Sequence, residues 1–174
     1  VRPGAHKALA SLRRMGVRKI IMLTGDRQAT ATQIGRRVGV DKIYSQLSPT
    51  DKLDIVKQYS ANRHHVAMVG DGINDAPVLA TADVGIAMGV MGSTVAGETA
   101  DAIITSSHIS RIAELRQISQ RTIRVARQSV LTGMVICLGL EVIALFGFIP
   151  AVMGAILQEA IDVLTMLNAL RARR

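Results

Sequence analysis

His65-Val66-Ala67-Met68-Val69-Gly70-Asp71-Gly72-Ile73-Asn74-Asp75-Ala76-Pro77 passes from a short apolar run into a loop with two glycines and two carboxylates. The run His65–Val69 predicts a buried strand, and Ala76-Pro77 opens a helix with proline in its first turn. Asp71 and Asp75 therefore stand four residues apart on a strand-to-helix turn, where they can share one hard cation. Mg²⁺ takes oxygen ligands, usually one or two carboxylates completed by phosphate oxygen and water. Gly70 and Gly72 let the backbone turn sharply beside them. The plainer alternative is an acidic loop in which Asn74 caps the helix.

Upstream, the same alternation recurs. Pro3–Met15 predicts a helix, and Val17–Leu23 a buried strand bounded by Thr24-Gly25-Asp26. Residues 28–38 predict a helix with Ile34 and Val38 on one face and Gly39 at its end. Ser48-Pro49-Thr50-Asp51 opens another, with a serine cap, proline at the first position, and Leu53, Val56 and Tyr59 along a stripe. Val84–Met88 and Ala102–Thr105 are further short apolar runs. Strands alternating with helices predict an α/β fold, a Rossmann-like parallel sheet with helices on both faces. Thr24-Gly25-Asp26 then falls at a carboxyl strand end, where ligands bind in such sheets. A hydroxyl beside glycine can donate to a phosphate oxygen while the backbone approaches closely; alone, the tripeptide also reads as an ordinary glycine turn. Lys52 lies between the two loops, and an ammonium near a phosphoryl group offsets charge. A lone helical lysine otherwise faces water.

Downstream the composition changes. Residues 108–128 predict a long helix carrying Arg111, Arg116, Arg121, Arg124 and Arg127. Ser129–Ile149 holds a single charge, Glu141, and after Pro150 the stretch Ala151–Leu170 holds two, Glu159 and Asp162. Each is long enough to cross roughly 30 Å of hydrocarbon. Gly147, Phe148 and Pro150 mark the turn between them. Arg124 and Arg127 precede the first stretch, and Arg171, Arg173 and Arg174 follow the second, so the positive-inside rule puts both ends in the cytoplasm. The alternative, a buried hairpin of a soluble protein, conflicts with helices apolar all round. The chain divides at the sequence level into an α/β region at 1–107, a basic connecting helix at 108–128, and a two-helix transmembrane hairpin with a short basic tail at 129–174.

The whole 174-residue chain is 49% hydrophobic and carries a net charge of +8, with no Trp, two Tyr and two Phe. So few aromatics exclude a base-stacking nucleic-acid platform, and the arginines of the 108–128 helix are accounted for by the adjacent span. The one cysteine, Cys137, excludes an internal disulfide. No signal-peptide pattern opens the chain. Val1 already sits in a helical pattern, so the sequence reads as a fragment whose N-terminal part lies upstream.

Met22-Leu23-Thr24-Gly25-Asp26, Pro49-Thr50-Asp51-Lys52 and Val69–Pro77, in this order and spacing, resemble the haloacid-dehalogenase-like phosphorylation domain of P-type ATPases. Gly85–Gly89 and Glu98-Thr99-Ala100-Asp101 extend the likeness, and Asn168-Ala169-Leu170-Arg171 resembles the end of the heavy-metal-transporting class. The resemblance implies a partial phosphorylation domain at 1–107 and the last two membrane helices. It implies that Thr24 binds the phosphoryl group, Lys52 neutralises it, Asp71 holds Mg²⁺ and Asp75 supports that site. Asn74 orients the phosphorylated loop, Asp26 lies on the nucleotide side, and Gly25 and Gly72 line the same loops. The implied reaction is phosphoryl transfer from ATP to an aspartate of an Asp-Lys-Thr-Gly-Thr motif, followed by hydrolysis. That motif is absent from these residues, so the fragment is expected to be inactive alone and to need the N-terminal part of the same ATPase. The implied setting is an integral membrane protein of the plasma membrane, with the α/β domain cytoplasmic, a lipid bilayer around the hairpin, and no nucleic acid.

For the transported ion, polar groups within a span mark a path. Glu159 and Asp162, three residues apart, share a helical face and offer oxygen ligands to a divalent cation. Glu141 is an alternative that also reads as a protonated packing residue, and Cys137 and Met134 read as packing. The resemblance argues against Cu⁺, because the Met with paired Ser and the Tyr-Asn of copper-class members are missing. Gln158 stands where zinc-class members have Asp, and Gln158-Glu159 matches only the Glu of the cobalt-class His-Glu. A divalent transition metal follows, without a choice among them. Two other readings remain at the sequence level: a soluble phosphatase of the same superfamily, which the apolar tail opposes, and a catalytically incomplete membrane-anchored regulator or adaptor.

Overall fold

The computed structural model describes residues 4–62, 64–70, 74–89, 98–147 and 149–173. Asp71, Gly72 and Phe148 lie outside the described residues. The elements run α1 (Ala5–Arg14), β1 (Ile21–Leu23), α2 (Gln28–Val38), β2 (Lys42–Tyr44), α3 (Pro49–Ala61), β3 (Ala67–Gly70), α4 (Ala76–Thr81), β4 (Val84–Met88), β5 (Ala102–Ile104), α5 (Ser110–Leu145) and α6 (Ala151–Ala169), closing in a 3₁₀ turn at Leu170–Arg173. The chain forms two compact units, residues 1–115 and 116–174.

Every strand pair in the first unit is parallel, as strand–helix alternation requires. The single sheet expected from the sequence is instead two: β1 with β2, and β3-β4-β5 with β4 in the middle. β1 and β3 make no ladder with each other among the described residues. The core is aliphatic. Ala76, Leu79 and Ala87 are buried together with Met68 and Ala100 packed against them, and Ala5, Leu9 and Val38 form a second cluster with Leu12, Ile20, Val40 and Ile109.

Three aspartates fix the amino ends of these strands. Asp41, Asp83 and Asp101 directly precede β2, β4 and β5. Their carboxylates accept the backbone N–H of Ile20 at 2.7 Å, Val66 at 2.7 Å and Gly85 at 2.8 Å, each on or just before the neighbouring strand. A charged acceptor thus takes an amide that the short ladders leave unpaired. Arg13 adds a 2.8 Å ion pair to Asp41, tying α1 to the start of β2.

In the second unit, the helix expected at 108–128 and the first apolar stretch belong to one continuous helix, α5. Gln128-Ser129 contains no proline, glycine or cap to interrupt it. α5 and α6 meet along small residues. Asn168 Nδ2 donates to Ser129 Oγ at 2.9 Å, and a Cβ added at Gly133 would lie 3.1 Å from Thr165 Cγ2. Elsewhere the two helices turn Leu138, Leu145, Val152 and Met166 outward. Apolar surface on this scale is stable against lipid rather than water, and both helices are long and apolar enough to span a membrane.

Candidate active site

The site forms where β3 meets α4. Asp75 occupies the residue before α4, the position from which aspartate ordinarily caps its own helix. Its side chain makes no capping hydrogen bond. Lys52 Nζ instead donates to Asp75 Oδ1 at 2.8 Å, and both side chains are mostly buried. Withheld from its helix and turned to a lysine from α3, the carboxylate is poised over the carboxyl end of β3. Gly70, the last residue of β3, makes this possible: a Cβ there would lie 2.9 Å from both Asp75 Cβ and Oδ2.

Lys52 is held by its helix start. Ser48 and Asp51 form a reciprocal capping box, with Asp51 N–H donating to Ser48 Oγ at 3.2 Å and Ser48 N–H to Asp51 Oδ2 at 2.8 Å. The Ser48 hydroxyl, donating to Asp51 Oδ2 at 2.5 Å, and then the Ser48 N–H hold the Asp51 carboxyl below its ordinary range. With Pro49 at the first position, the first turn of α3 is fixed, and Lys52 stands one residue beyond it.

The loop after β1 is built separately. Thr24 N–H donates to Tyr44 O at 3.0 Å, prolonging the β1–β2 ladder. Thr24 Oγ1 donates to Asp26 Oδ2 at 2.9 Å and accepts from Asp26 N–H at 3.1 Å. Backbone bonds from Gln46 N–H to Asp26 O and Leu47 N–H to Thr24 O bind the loop before α3 to this turn. Gln46 takes a left-handed φ of 56° there, which only a supported turn holds for a non-glycine residue. No hydrogen bond joins Thr24 or Asp26 to Lys52 or Asp75 among the described residues. Asn74 is exposed, as is Gly25.

The structure therefore brings Lys52 and Asp75 into contact and pairs Thr24 with Asp26. It places Glu159 and Asp162 on α6, exposed within their unit, with Thr165 Oγ1 donating to the backbone oxygen of Asp162 at 2.9 Å. Among the described residues no three His, Cys, Asp or Glu side chains are grouped to hold a metal. Beside Lys52, a carboxylate oxygen stands over a strand end that a Cβ would fill, a donor type that suits a hard cation; the sequence-predicted ligand Asp71 lies outside the described residues. The sequence reading passed over the pinning aspartates, although Asp before each apolar triplet was visible in Asp41-Lys42-Ile43, Asp83-Val84-Gly85 and Asp101-Ala102-Ile103.

Two family models, both described as haloacid dehalogenase-like hydrolase, match residues 1–83 and 52–115. The chain is 40% identical over 171 residues to a probable cadmium-transporting ATPase of Listeria monocytogenes, covering 98% of this chain and 24% of the relative. It is 39% identical to a zinc-exporting P-type ATPase of Mycobacterium marinum and 37% to a manganese-exporting one of Mycobacterium leprae, each over 100% of this chain and 24% of the relative. A crystal structure of a zinc-transporting PIB-type ATPase in the E2.Pi state superimposes with TM-score 0.81 at 36% identity, over 100% of this chain and 28% of that one. The catalytic domain of the CPx-ATPase CopB-B matches with TM-score 0.60 at 36% identity, over 66% of this chain and 45% of that one. The chain spans about a quarter of the length of the curated relatives it matches.

Proposed function

Because the chain belongs to the haloacid dehalogenase-like family and corresponds to the C-terminal part of a metal-transporting P-type ATPase, we propose that it supplies the charge-neutralising half of an aspartyl-phosphate site and the last hairpin of a cation path. The chain is part of an integral membrane protein. The α/β unit lies in the cytoplasm of a plasma-membrane pump, and the pump exports a divalent heavy-metal cation using ATP.

The observation that carries this reading is the Lys52–Asp75 pair, with Asp75 taken from its own helix cap. Lys52 holds its ammonium where a transferred phosphoryl group gathers negative charge, and the capping box keeps it there. Asp75 fixes that ammonium through Oδ1. Asp71 and Asp75 would hold Mg²⁺, whose charge offsets that of the phosphoryl oxygens. Thr24 would offer its hydroxyl to a phosphoryl oxygen by releasing Asp26, and Gly25 lets the backbone come close. Asn74 would orient the phosphorylated segment, with Gly72 beside it in sequence, and Asp26 would face the nucleotide. The nucleophilic aspartate comes from an Asp-Lys-Thr-Gly-Thr segment of the pump, so the fragment is inactive alone. The cadmium, zinc and manganese named for the relatives are all divalent, which supports oxygen donors at Glu159 and Asp162 for the transported ion.

In the intact ATPase, Asp71→Asn and Lys52→Met should each lower metal-stimulated ATP turnover by about 100-fold, the scale of losing one preorganised electrostatic contact. Glu159→Ala should blunt the response to metal while leaving phosphate chemistry intact. Wild-type turnover in Lys52→Met would end this assignment; an unchanged metal response in Glu159→Ala would remove that residue from the path.

A further inference from the structure

All seven cations of residues 116–174 are arginines, and all three acids, Glu141, Glu159 and Asp162, lie inside the apolar stretches. Arg116, Arg121, Arg124 and Arg127 are exposed, and none makes an ion pair with a described residue. At 100° per residue these four fall within an arc of about 140° on α5. Between residues 116 and 128 only Gln117, Gln120 and Gln128 share that arc. Ser129, the buried contact with α6, lies roughly opposite, so the stripe faces away from the partner helix.

The Ser129–Asn168 hydrogen bond also levels the two helix ends. With a rise of 1.5 Å per residue, Arg124 and Arg127 precede that level, and Arg171 follows it, by no more than about 8 Å. Among the described residues Arg171 makes only a 3.5 Å contact to Asn168 Oδ1. Three guanidiniums thus ring the arginine-bearing mouth of the hairpin at the depth where headgroups meet hydrocarbon. The acids that could neutralise them sit well inside the spans.

We propose that Arg124, Arg127 and Arg171 form a binding collar for anionic phospholipid headgroups, with Arg121 and Arg116 extending it along α5. Guanidinium matches a phosphodiester bidentately, whereas a lysine would meet it as a point charge. A positive flank alone sets orientation in the membrane; a collar at one level, with Arg124 and Arg127 turned away from the helix–helix seam and Arg171 beside it, retains particular lipids.

The test places the full chain in nanodiscs of phosphatidylcholine with phosphatidylglycerol as a minority lipid and measures which lipids native mass spectrometry retains on the protein. Wild type should retain phosphatidylglycerol over phosphatidylcholine. Each arginine-to-glutamine change at 124, 127 and 171 should cut that preference about fivefold, the effect of one basic residue near an anionic surface. The triple variant should show none, and lysine at the same three positions should restore part of it. Arg36→Gln with Arg37→Gln, exposed on α2, should leave it unchanged. The proposal is overturned by equal retention of both lipids in wild type, by a preference that survives the triple variant, or by one lost equally in the α2 variant. A chain that stays soluble without lipid or detergent would instead sink the membrane placement on which the collar depends.

Discussion

The two units of this chain obey one physical rule and arrive at opposite surfaces. In the α/β unit Leu79 is 0% exposed and anchors a small aliphatic cluster. In the hairpin Leu138 is 57% and Leu145 84% exposed. Leucine leaves water in both cases: in the first it is covered by neighbouring elements, in the second by bilayer. What holds each unit together differs accordingly. The α/β unit relies on burial and on aspartates placed at strand starts. The hairpin gains nothing from burying leucine against leucine in lipid, and depends on close small-residue contact and one interhelical hydrogen bond. Polarity is inverted too. Charge in the α/β unit is spread over helices and loops and pairs Lys52 with Asp75, whereas charge in the hairpin is confined to its arginine ends and three interior acids.

The largest test of this contrast uses the same substitution twice. Leu79→Ala should destabilise the α/β unit by about 3 kcal/mol, from lost transfer energy plus the cavity left behind. Leu138→Ala, at a lipid-facing site, should change the stability of the hairpin by less than about 1 kcal/mol. Leu138→Arg should reverse the order, costing about 3 kcal/mol of membrane insertion. Urea unfolding of the chain in nanodiscs reads the first two and an insertion assay the third. Equal losses at both alanine sites would abolish the distinction between the units. A smaller effect is expected from Asn168→Ala, about 1 kcal/mol for an interhelical hydrogen bond in a membrane, read as weaker association of the two helices. No loss there would leave the seam to close packing such as that of Gly133 against Thr165.

How far the sequence carried these conclusions depended on the range of the interaction. α2 was legible to the residue, because periodicity, the missing proline and Gly39 at its end are local signals; Gly39 takes a φ of 81°. α3 was legible from Ser48-Pro49, and its capping box followed. β2 escaped notice because Lys42-Ile43-Tyr44 is three residues with little alternation. Division into two sheets could not be read, since strand pairing is decided between segments far apart in the chain. At the site, Lys52 and Asp75 were both named from their motifs. Their direct contact, and the cap that Asp75 forgoes to make it, belong to tertiary structure. Thr24 bonding to Asp26 lay within reach of a local argument, as one residue, Gly25, separates donor from acceptor.

The smallest effect separates the units by pH. Asp41 has its carboxyl held below the ordinary value of 3.8, chiefly by the Arg13 side-chain hydrogen bond and then by the Ile20 N–H. A depressed folded-state pKa gives stability that is fully present above 3.8 and is lost as pH falls below that value toward the folded one. Asp51, lowered by Ser48, acts in the same direction at the start of α3. Asp41→Asn should therefore lower stability at neutral pH by a few tenths of a kcal/mol to about 1, since the pair is partly solvated. It should also flatten the acid decline, because asparagine cannot lose the contact by protonation. Thermal melts of wild type and variant between neutral pH and the acid range check both halves. The α/β unit should loosen with acid while the hairpin, whose Ser129–Asn168 bond joins two groups that do not titrate there, keeps its helices. An acid slope identical in the two proteins would show that the aspartate before β2 does not pin the strand, and would leave the amino end of the β1–β2 ladder to be held by burial alone.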